Sequence, residues 1–316
     1  MGNLREHEVH SAALLGLGFV PGEVHYLASQ SQETYEFWRD SRRIPASRLH
    51  TSILDAYDSV GRRNESNNVI VVSPDSHTLA AALVFDKNMT HVVGDFPPGL
   101  FAHRARFGMS TTFTPMITVS GSGNYFKNFY LMHGTAVGDY ISCLVSGNRN
   151  VFENVHFAGP MVAAQGGGTG YLGVHVTGSE NYFKNCVFGS KGIARDEVTP
   201  NLKIAGGDNV FENCWFVCQL TDTDPIFVYV DNATSTNAWF KGCQFLAWSP
   251  NHAVAMAVAF VFGAGASADI TLDPGCSFHN VTKLAASASM KYIWTPTVFA
   301  ATTDELNLIS INSATY

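Results

Sequence analysis

The clearest regularity along this chain is a six-residue phrase in which apolar side chains bracket a single amide. Phe126-Lys127-Asn128-Phe129-Tyr130-Leu131 returns as Phe152-Glu153-Asn154-Val155-His156-Phe157, as Phe183-Lys184-Asn185-Cys186-Val187-Phe188 and as Phe211-Glu212-Asn213-Cys214-Trp215-Phe216. A fifth copy reads Phe240-Lys241-Gly242-Cys243-Gln244-Phe245, and a shortened sixth reads Gly275-Cys276-Ser277-Phe278. Successive copies lie 26 to 33 residues apart, the span of one solenoid turn with loops of variable length.

Each column of the repeat has a physical reading. The first, fourth and sixth positions are apolar and predict inward-facing side chains. The third position is Asn128, Asn154, Asn185, Asn213, Gly242 and Gly275. Asn and Gly tolerate a positive φ, so this column predicts a sharp bend between two inward positions, with stacked amides able to bond along a ladder. The second position alternates in sign, Lys127, Glu153, Lys184, Glu212, Lys241. Coils about 4.8 Å apart would set these opposite charges side by side, which predicts parallel, in-register stacking. In the fourth column, Cys186, Cys214, Cys243 and Cys276 predict a core stack of reduced thiols, since side chains stacked in register point the same way and do not face one another as a disulfide requires.

Outside the repeat, Val69-Ile70-Val71-Val72 and His91-Val92-Val93-Gly94 read as earlier strands, giving about seven coils up to Phe278. Ser31 to Arg43 and Ala46 to Val60 carry helical spacing, the second with Leu49, Ile53, Leu54 and Tyr57 on one face behind Pro45. A stack of strands has an open first rung, and this second helix is expected to cover it. The expected organisation is a helical N-terminal segment and cap at 1–67, a strand solenoid at 68–282, and a C-terminal cap or contact tail at 283–316 around Trp294-Thr295-Pro296-Thr297.

These coils resemble those of pectate-lyase-like right-handed parallel β-helix proteins, and more narrowly the ones that tailed bacteriophages build into their virions. The Asn-x-Phe-x-Asn-Cys-x-Phe copies carry the likeness, as does the stretch Leu79-Ala80-Ala81-Ala82-Leu83-Val84-Phe85-Asp86-Lys87-Asn88-Met89-Thr90-His91-Val92-Val93-Gly94, which is similar to the opening coil of such phage proteins. The resemblance spans roughly residues 68 to 280. It implies an all-β, single-stranded right-handed parallel β-helix with a short helical N-terminal segment. It also implies a virion structural protein made in the host cytoplasm, a capsid auxiliary or decoration component on the head. Its expected partners are copies of itself, as a homotrimer, and the major capsid protein or another virion protein. The alternatives are a tailspike-like polysaccharide depolymerase, lyase or glycosidase, or a receptor-binding tail fibre, because one fold carries all of these roles.

Composition narrows the partners. Only 14% of the residues are charged while 46% are hydrophobic, against roughly 25% charged in an ordinary soluble domain. The net charge of −7, from 19 basic and 26 acidic residues, argues against a nucleic-acid surface. The start Met1-Gly2-Asn3-Leu4-Arg5-Glu6 lacks the basic stretch of a signal peptide, and the solid apolar run Ala253 to Phe262 is too short to span a bilayer.

Candidate chemistry is sparse in the sequence. Arg195-Asp196-Glu197 falls in a loop one coil before Asp222 and Asp224, with Asp231 beyond; Asp196, Glu197, Asp222 and Asp224 could pair carboxylates for polysaccharide cleavage or hold calcium as pectate lyases do. The alternative is a set of solvated loop acids. His156 and His175 read as exposed strand histidines, and no Cys-x-x-Cys pair suggests zinc. The loop Gly166-Gly167-Gly168-Thr169-Gly170 lacks the Gly-Lys-Ser/Thr ending of a phosphate loop, so no cofactor is expected. Tyr130 and Trp215 are the outward aromatics expected on the coil faces, few for a sugar groove. On this pattern the chain is expected to be non-enzymatic.

Overall fold

The computed structural model describes residues 21–29, 32–61, 67–95, 105–109, 114–133, 141–160, 172–195, 198–231, 236–250, 253–286, 289 and 293–295. Its strands form a right-handed parallel β-helix. Seven strands make one sheet, Leu83–Phe85, Ile117–Val119, Ile141–Val145, Leu172–Val176, Pro200–Ile204, Ile226–Val230 and Phe260–Phe262, one per turn. Most of the remaining strands form a larger sheet folded along its length, so that a middle coil runs Leu172–Val176, Tyr182–Lys184, Val187–Arg195 and then back to Pro200–Ile204, and Met256–Val258 pairs with Val281–Lys283 in a separate two-stranded sheet.

The fold in the larger sheet falls on the asparagine column. Asn128, Asn154, Asn185, Asn213 and Gly242 have φ of +58°, +55°, +52°, +52° and +61°. Each turns the chain within one residue, so that the apolar residues on both sides face inward. Asn154 Nδ2 donates to Asn128 Oδ1 at 2.7 Å, an amide rung of the expected kind. Gly275 departs from the column, because it has no left-handed φ. There the carboxylate of Asp273 closes the turn, accepting from Gly275 N at 3.0 Å and from Gly242 N in the coil before at 2.8 Å.

Two phenylalanine columns fill the interior. Phe126, Phe152, Phe183, Phe211 and Phe240 stack with ring centres 4.9, 4.7, 4.8 and 4.8 Å apart. Phe157, Phe188, Phe216, Phe245 and Phe278 repeat this at 5.2, 4.7, 4.7 and 4.4 Å. The rung spacing of a parallel ladder sets these distances, and the two columns meet edge to face. Between them, Cys186, Cys214, Cys243 and Cys276 are buried and unbridged. Their Sγ atoms donate to the carbonyls of Phe152, Phe183, Phe211 and Phe240, one coil earlier, at 3.3, 3.4, 3.3 and 3.2 Å.

A second ladder, absent from the six-residue phrase, sits where the chain leaves the seven-stranded sheet. The turns Gly121-Ser122-Gly123-Asn124, Gly147-Asn148-Arg149-Asn150, Gly178-Ser179-Glu180-Asn181 and Gly206-Gly207-Asp208-Asn209 share a Gly-x-x-Asn form. Asn150, Asn181 and Asn209 are fully buried, and each accepts through Oδ1 from the backbone N–H of the ladder asparagine one coil before, at 2.9, 2.9 and 3.0 Å. Their Nδ2 groups donate to the carbonyls of Gly121, Gly147 and Gly178 at 3.0, 3.1 and 3.1 Å. The glycines are required by this approach. A side chain on Gly147, Gly178 or Gly206 would overlap the carbonyl oxygen of the glycine one coil earlier.

The N-terminal region is corrected in two ways. Val24–Leu27 pairs in parallel with Asn68–Val72 and also with Leu49–His50, so the ladder begins well before residue 68. The two helices are shorter than their spacing suggests: Gln32–Glu36 passes into a wider turn at Phe37–Ser41, and Ala46–Arg48 is a single tight turn before the strand Leu49–His50. The strand claims the start of the second helical pattern because the open edge of Val24–Leu27 needs backbone partners there. What remains helical is Ile53–Ser59, N-capped by Ser52, and it buries Ile53, Ala56 and Tyr57 against the first coils. Trp38 and Ile44 cover the outer side of the same rungs, burying Val24, Tyr26, Val69, Val71 and Val93. At the other end, Ile293–Trp294 adds a short rung on Ala268–Leu272. Among the described residues, no helix is long and apolar enough to cross a membrane.

Candidate active site on the seven-stranded sheet

Strand alternation puts every second side chain of the seven-stranded sheet on its outer face. Ladder register aligns these into one row, Val84, Thr118, Leu144, His175, Lys203, Tyr229 and Val261. Their inward neighbours, such as Val174, Val176, Leu202, Ile204, Val228 and Val230, have no exposed surface. The core therefore fixes which way the row points. Its middle members include an imidazole, an ammonium and a phenol on successive rungs.

Asp231, at the end of Ile226–Val230, completes the group. Its Oδ2 lies 2.8 Å from Lys203 Nζ, with both side chains about a quarter exposed, at 27% and 24%. Lys203 Nζ is also 5.4 Å from the centre of the Tyr229 ring. A carboxylate and an aromatic face thus hold one ammonium over the sheet. Burial pushes the His175 pKa below its ordinary value, the Lys203 charge lowers it further, and Asp231 opposes both. His175 is therefore neutral near pH 7, and its Nε2 is shielded, with no hydrogen-bond partner among the described residues.

The acids singled out in the sequence fall in segments of the chain that precede strands of this sheet. Asp222 and Asp224 lie in the connection from Trp215–Leu220 to Ile226–Val230, exposed, and both accept from the Thr223 hydroxyl, at 3.2 and 3.3 Å. Asp196 and Glu197 lie outside the described residues, in the connection leading to Pro200–Ile204. Arg195, next to them, is buried and donates from Nε to Thr199 Oγ1 at 3.1 Å, and it also bonds Asn201. Among the described residues, no group of three or more His, Cys, Asp or Glu side chains comes together as metal ligands.

Three outward expectations are corrected. His156 does point away from the core, but it is buried, donating from Nε2 to Gly189 O at 2.9 Å and packing on the Tyr130 ring. Tyr130 is buried with it. Among the described residues of the coils, the exposed aromatics are instead Trp239, Trp248 and Trp294, so the faces are not as poor in aromatic surface as the repeat suggested. His175 and Lys203 were within reach of sequence reasoning, because Val174-His175-Val176 and Leu202-Lys203-Ile204 are alternating strands one coil apart. Tyr229 and Asp231 needed the register.

No family model matches the sequence, and no curated protein matches it. Solved structures do share its fold. A pectin methylesterase in complex with a hexasaccharide is 12% identical, with a TM-score of 0.55 over 81% of this chain and 79% of its own. The pectin methylesterase PemA from Erwinia chrysanthemi is 13% identical, at 0.54 over 88% and 81%. The pectin methylesterase from Aspergillus niger is 12% identical, at 0.53 over 90% and 93%. At such identities the likeness establishes the right-handed parallel β-helix and nothing finer. It runs against the expectation of a non-enzymatic chain, which rested on regular stacking, because pectin methylesterases share that stacking over most of the chain. A head-decoration role finds no support among them.

Proposed function

We propose that this chain is an enzyme acting on an acidic polysaccharide along the outer face of the seven-stranded sheet. The observation that carries the reading is the in-register row His175, Lys203 and Tyr229, with Asp231 bound to Lys203. An ammonium held between a carboxylate and an aromatic ring suits the carboxylate and ring face of a uronate residue. Its similarity in fold to a pectin methylesterase that holds a hexasaccharide supports a carbohydrate as the ligand.

Among depolymerase chemistries, β-elimination fits this row better than glycoside hydrolysis. Hydrolysis calls for two carboxyl groups across the scissile bond, whereas the row offers one, committed to Lys203. In elimination, neutral His175 takes the proton from the carbon next to the uronate carboxylate by way of Nδ1, since its Nε2 is shielded, the bond to the leaving glycosidic oxygen breaks as that oxygen takes a proton from water, and a double bond forms in the sugar. Lys203 balances the charge that builds on the carboxylate. The test is incubation with uronate-containing polysaccharides, reading the ultraviolet absorbance of unsaturated chain ends. Absorbance that grows with the native chain and not with Lys203→Met or His175→Ala supports the proposal. Reducing ends without absorbance point to hydrolysis, and the absence of any cleavage sinks it.

The setting in a tailed-phage particle, as a homotrimeric depolymerase opening a host surface polysaccharide, rests on the resemblance of the coils alone. Mass spectrometry of purified particles and light scattering of the free chain would test it.

A further inference from the structure

The outward row of the larger sheet ends differently from how it starts. It runs Tyr125, Val151, Tyr182, Val210, Trp239, Thr271 and Trp294 on successive rungs. Its last two aromatics stand out in solvent, Trp239 at 53% and Trp294 at 58% exposed. They lie two rungs apart, about 9.5 Å along the solenoid axis, with Thr271 between them. That is the length of two pyranose units in an extended glycan.

The surroundings of the two indoles are polar. Trp294 Nε1 donates to Asp269 Oδ1 at 3.3 Å, Lys241 Nζ is 5.4 Å from the centre of the Trp239 ring, and Asn237 lies on the same strand and face as Trp239. A protein partner would have to bury these polar groups to reach two separated rings, at a desolvation cost that such a small apolar area does not offset. A sugar avoids this conflict. Its C–H face packs on indole, while its ring hydroxyls exchange hydrogen bonds with Thr271, Asp269 and Lys241.

We propose that Trp239 and Trp294 form a platform for a neutral glycan, on a different face of the solenoid from the His175 row. The carboxylate of Asp269 beside Trp294 disfavours a uronate there, so the ligand is a run of uncharged hexose units. This proposal stands whether or not the His175 row is catalytic.

Electrophoresis of the native full chain through gels containing a galactomannan, a β-glucan, an α-glucan or an arabinogalactan tests it. At least one of the four should retard the chain. Trp239→Ala and Trp294→Ala should each weaken the retardation about tenfold, the loss of one stacking contact. Trp239→Tyr should keep part of it, and Lys203→Met should leave it unchanged. No retardation in any of the four gels overturns the proposal, as does equal retardation of the double Trp variant with unchanged circular dichroism. A concentration-dependent mass in light scattering that the Trp substitutions abolish also overturns it, in favour of contact between copies of the chain.

Discussion

The two sheets of this solenoid are built by the same winding and use their outer faces differently. Along the larger sheet the outward column Lys127, Glu153, Lys184, Glu212, Lys241 keeps one pattern, and register sets each charge against its opposite. Along the seven-stranded sheet the outward row changes at every rung, from Leu144 to His175 to Lys203 to Tyr229. A column that repeats serves the stacking of coils. A column that does not repeat is free to assemble unlike groups, which is what chemistry requires.

Substitutions in the ladders should be costly in a way that substitutions in the row are not. The largest effect is expected for Gly178→Ala, whose new methyl overlaps the Gly147 carbonyl. A loss of about 4 kcal/mol, or failure to fold, is expected in urea denaturation. Gly192→Ala in the same coil meets only the far end of Ser190 and should shift stability by less than about 0.5 kcal/mol. Equal effects at the two positions would break the distinction between the ladder and the rest of the coil.

Next come two shielded imidazoles, one in each sheet. His91 Nδ1 accepts from Tyr125 N at 2.9 Å, and burial holds its pKa at about 4. The unfolded chain binds a proton there near pH 6.5 and the folded chain does not, so this stabilisation is complete above about 6.5 and is lost as pH falls toward 4. The denaturation midpoint should fall across that window by an amount corresponding to roughly 3 kcal/mol, and His91→Gln should flatten the dependence. His175 should report in activity instead. Turnover should fail on the acid side of its lowered pKa, and Lys203→Arg should preserve that limb, whereas Asp231→Asn should move it to lower pH by removing the one acidic group that raises it.

Asn181→Ala removes the acceptor of Asn150 N and a donor to Gly147 O, both buried, and is expected to cost about 2 kcal/mol in thermal or chemical unfolding. Lys203→Met should cost under about 1 kcal/mol while abolishing turnover, because its ion pair is partly solvated. The smallest loss from breaking a side-chain interaction is expected in the regular charge column. Glu153→Gln, which breaks a 3.5 Å pair with Lys127, should lower stability by about 0.5 kcal/mol at low salt, with the loss fading as salt rises.

The contrast between the sheets also explains what was legible in the sequence. The Phe, Asn and Cys columns repeat in type, so the inward direction of their apolar members and the bend follow from the order of residues alone. The Gly-x-x-Asn turns repeat as well, but they lie where apolar pattern is lowest, and a search led by hydrophobic phrases passes over them. The candidate site has no repeating letter to align. His175, Lys203 and Tyr229 become neighbours only once Val174, Leu202 and Val228 are known to share a register. At the N-terminus, helical spacing from Ala46 onward lost to the need of Val24–Leu27 for a backbone partner, a demand that no local pattern expresses.

The Gly-x-x-Asn turn has a bearing on modularity. Asn150, Asn181 and Asn209 each present the same acceptor and the same donor to the coil before, and each meets there the same backbone N–H and glycine carbonyl. Any coil ending in this turn can therefore follow any other. Duplicating or deleting one whole coil would leave every rung satisfied, while the variable loops on the far side absorb differences in length. The modular unit here is the turn of the solenoid, one that could be added or removed without redesigning its neighbours.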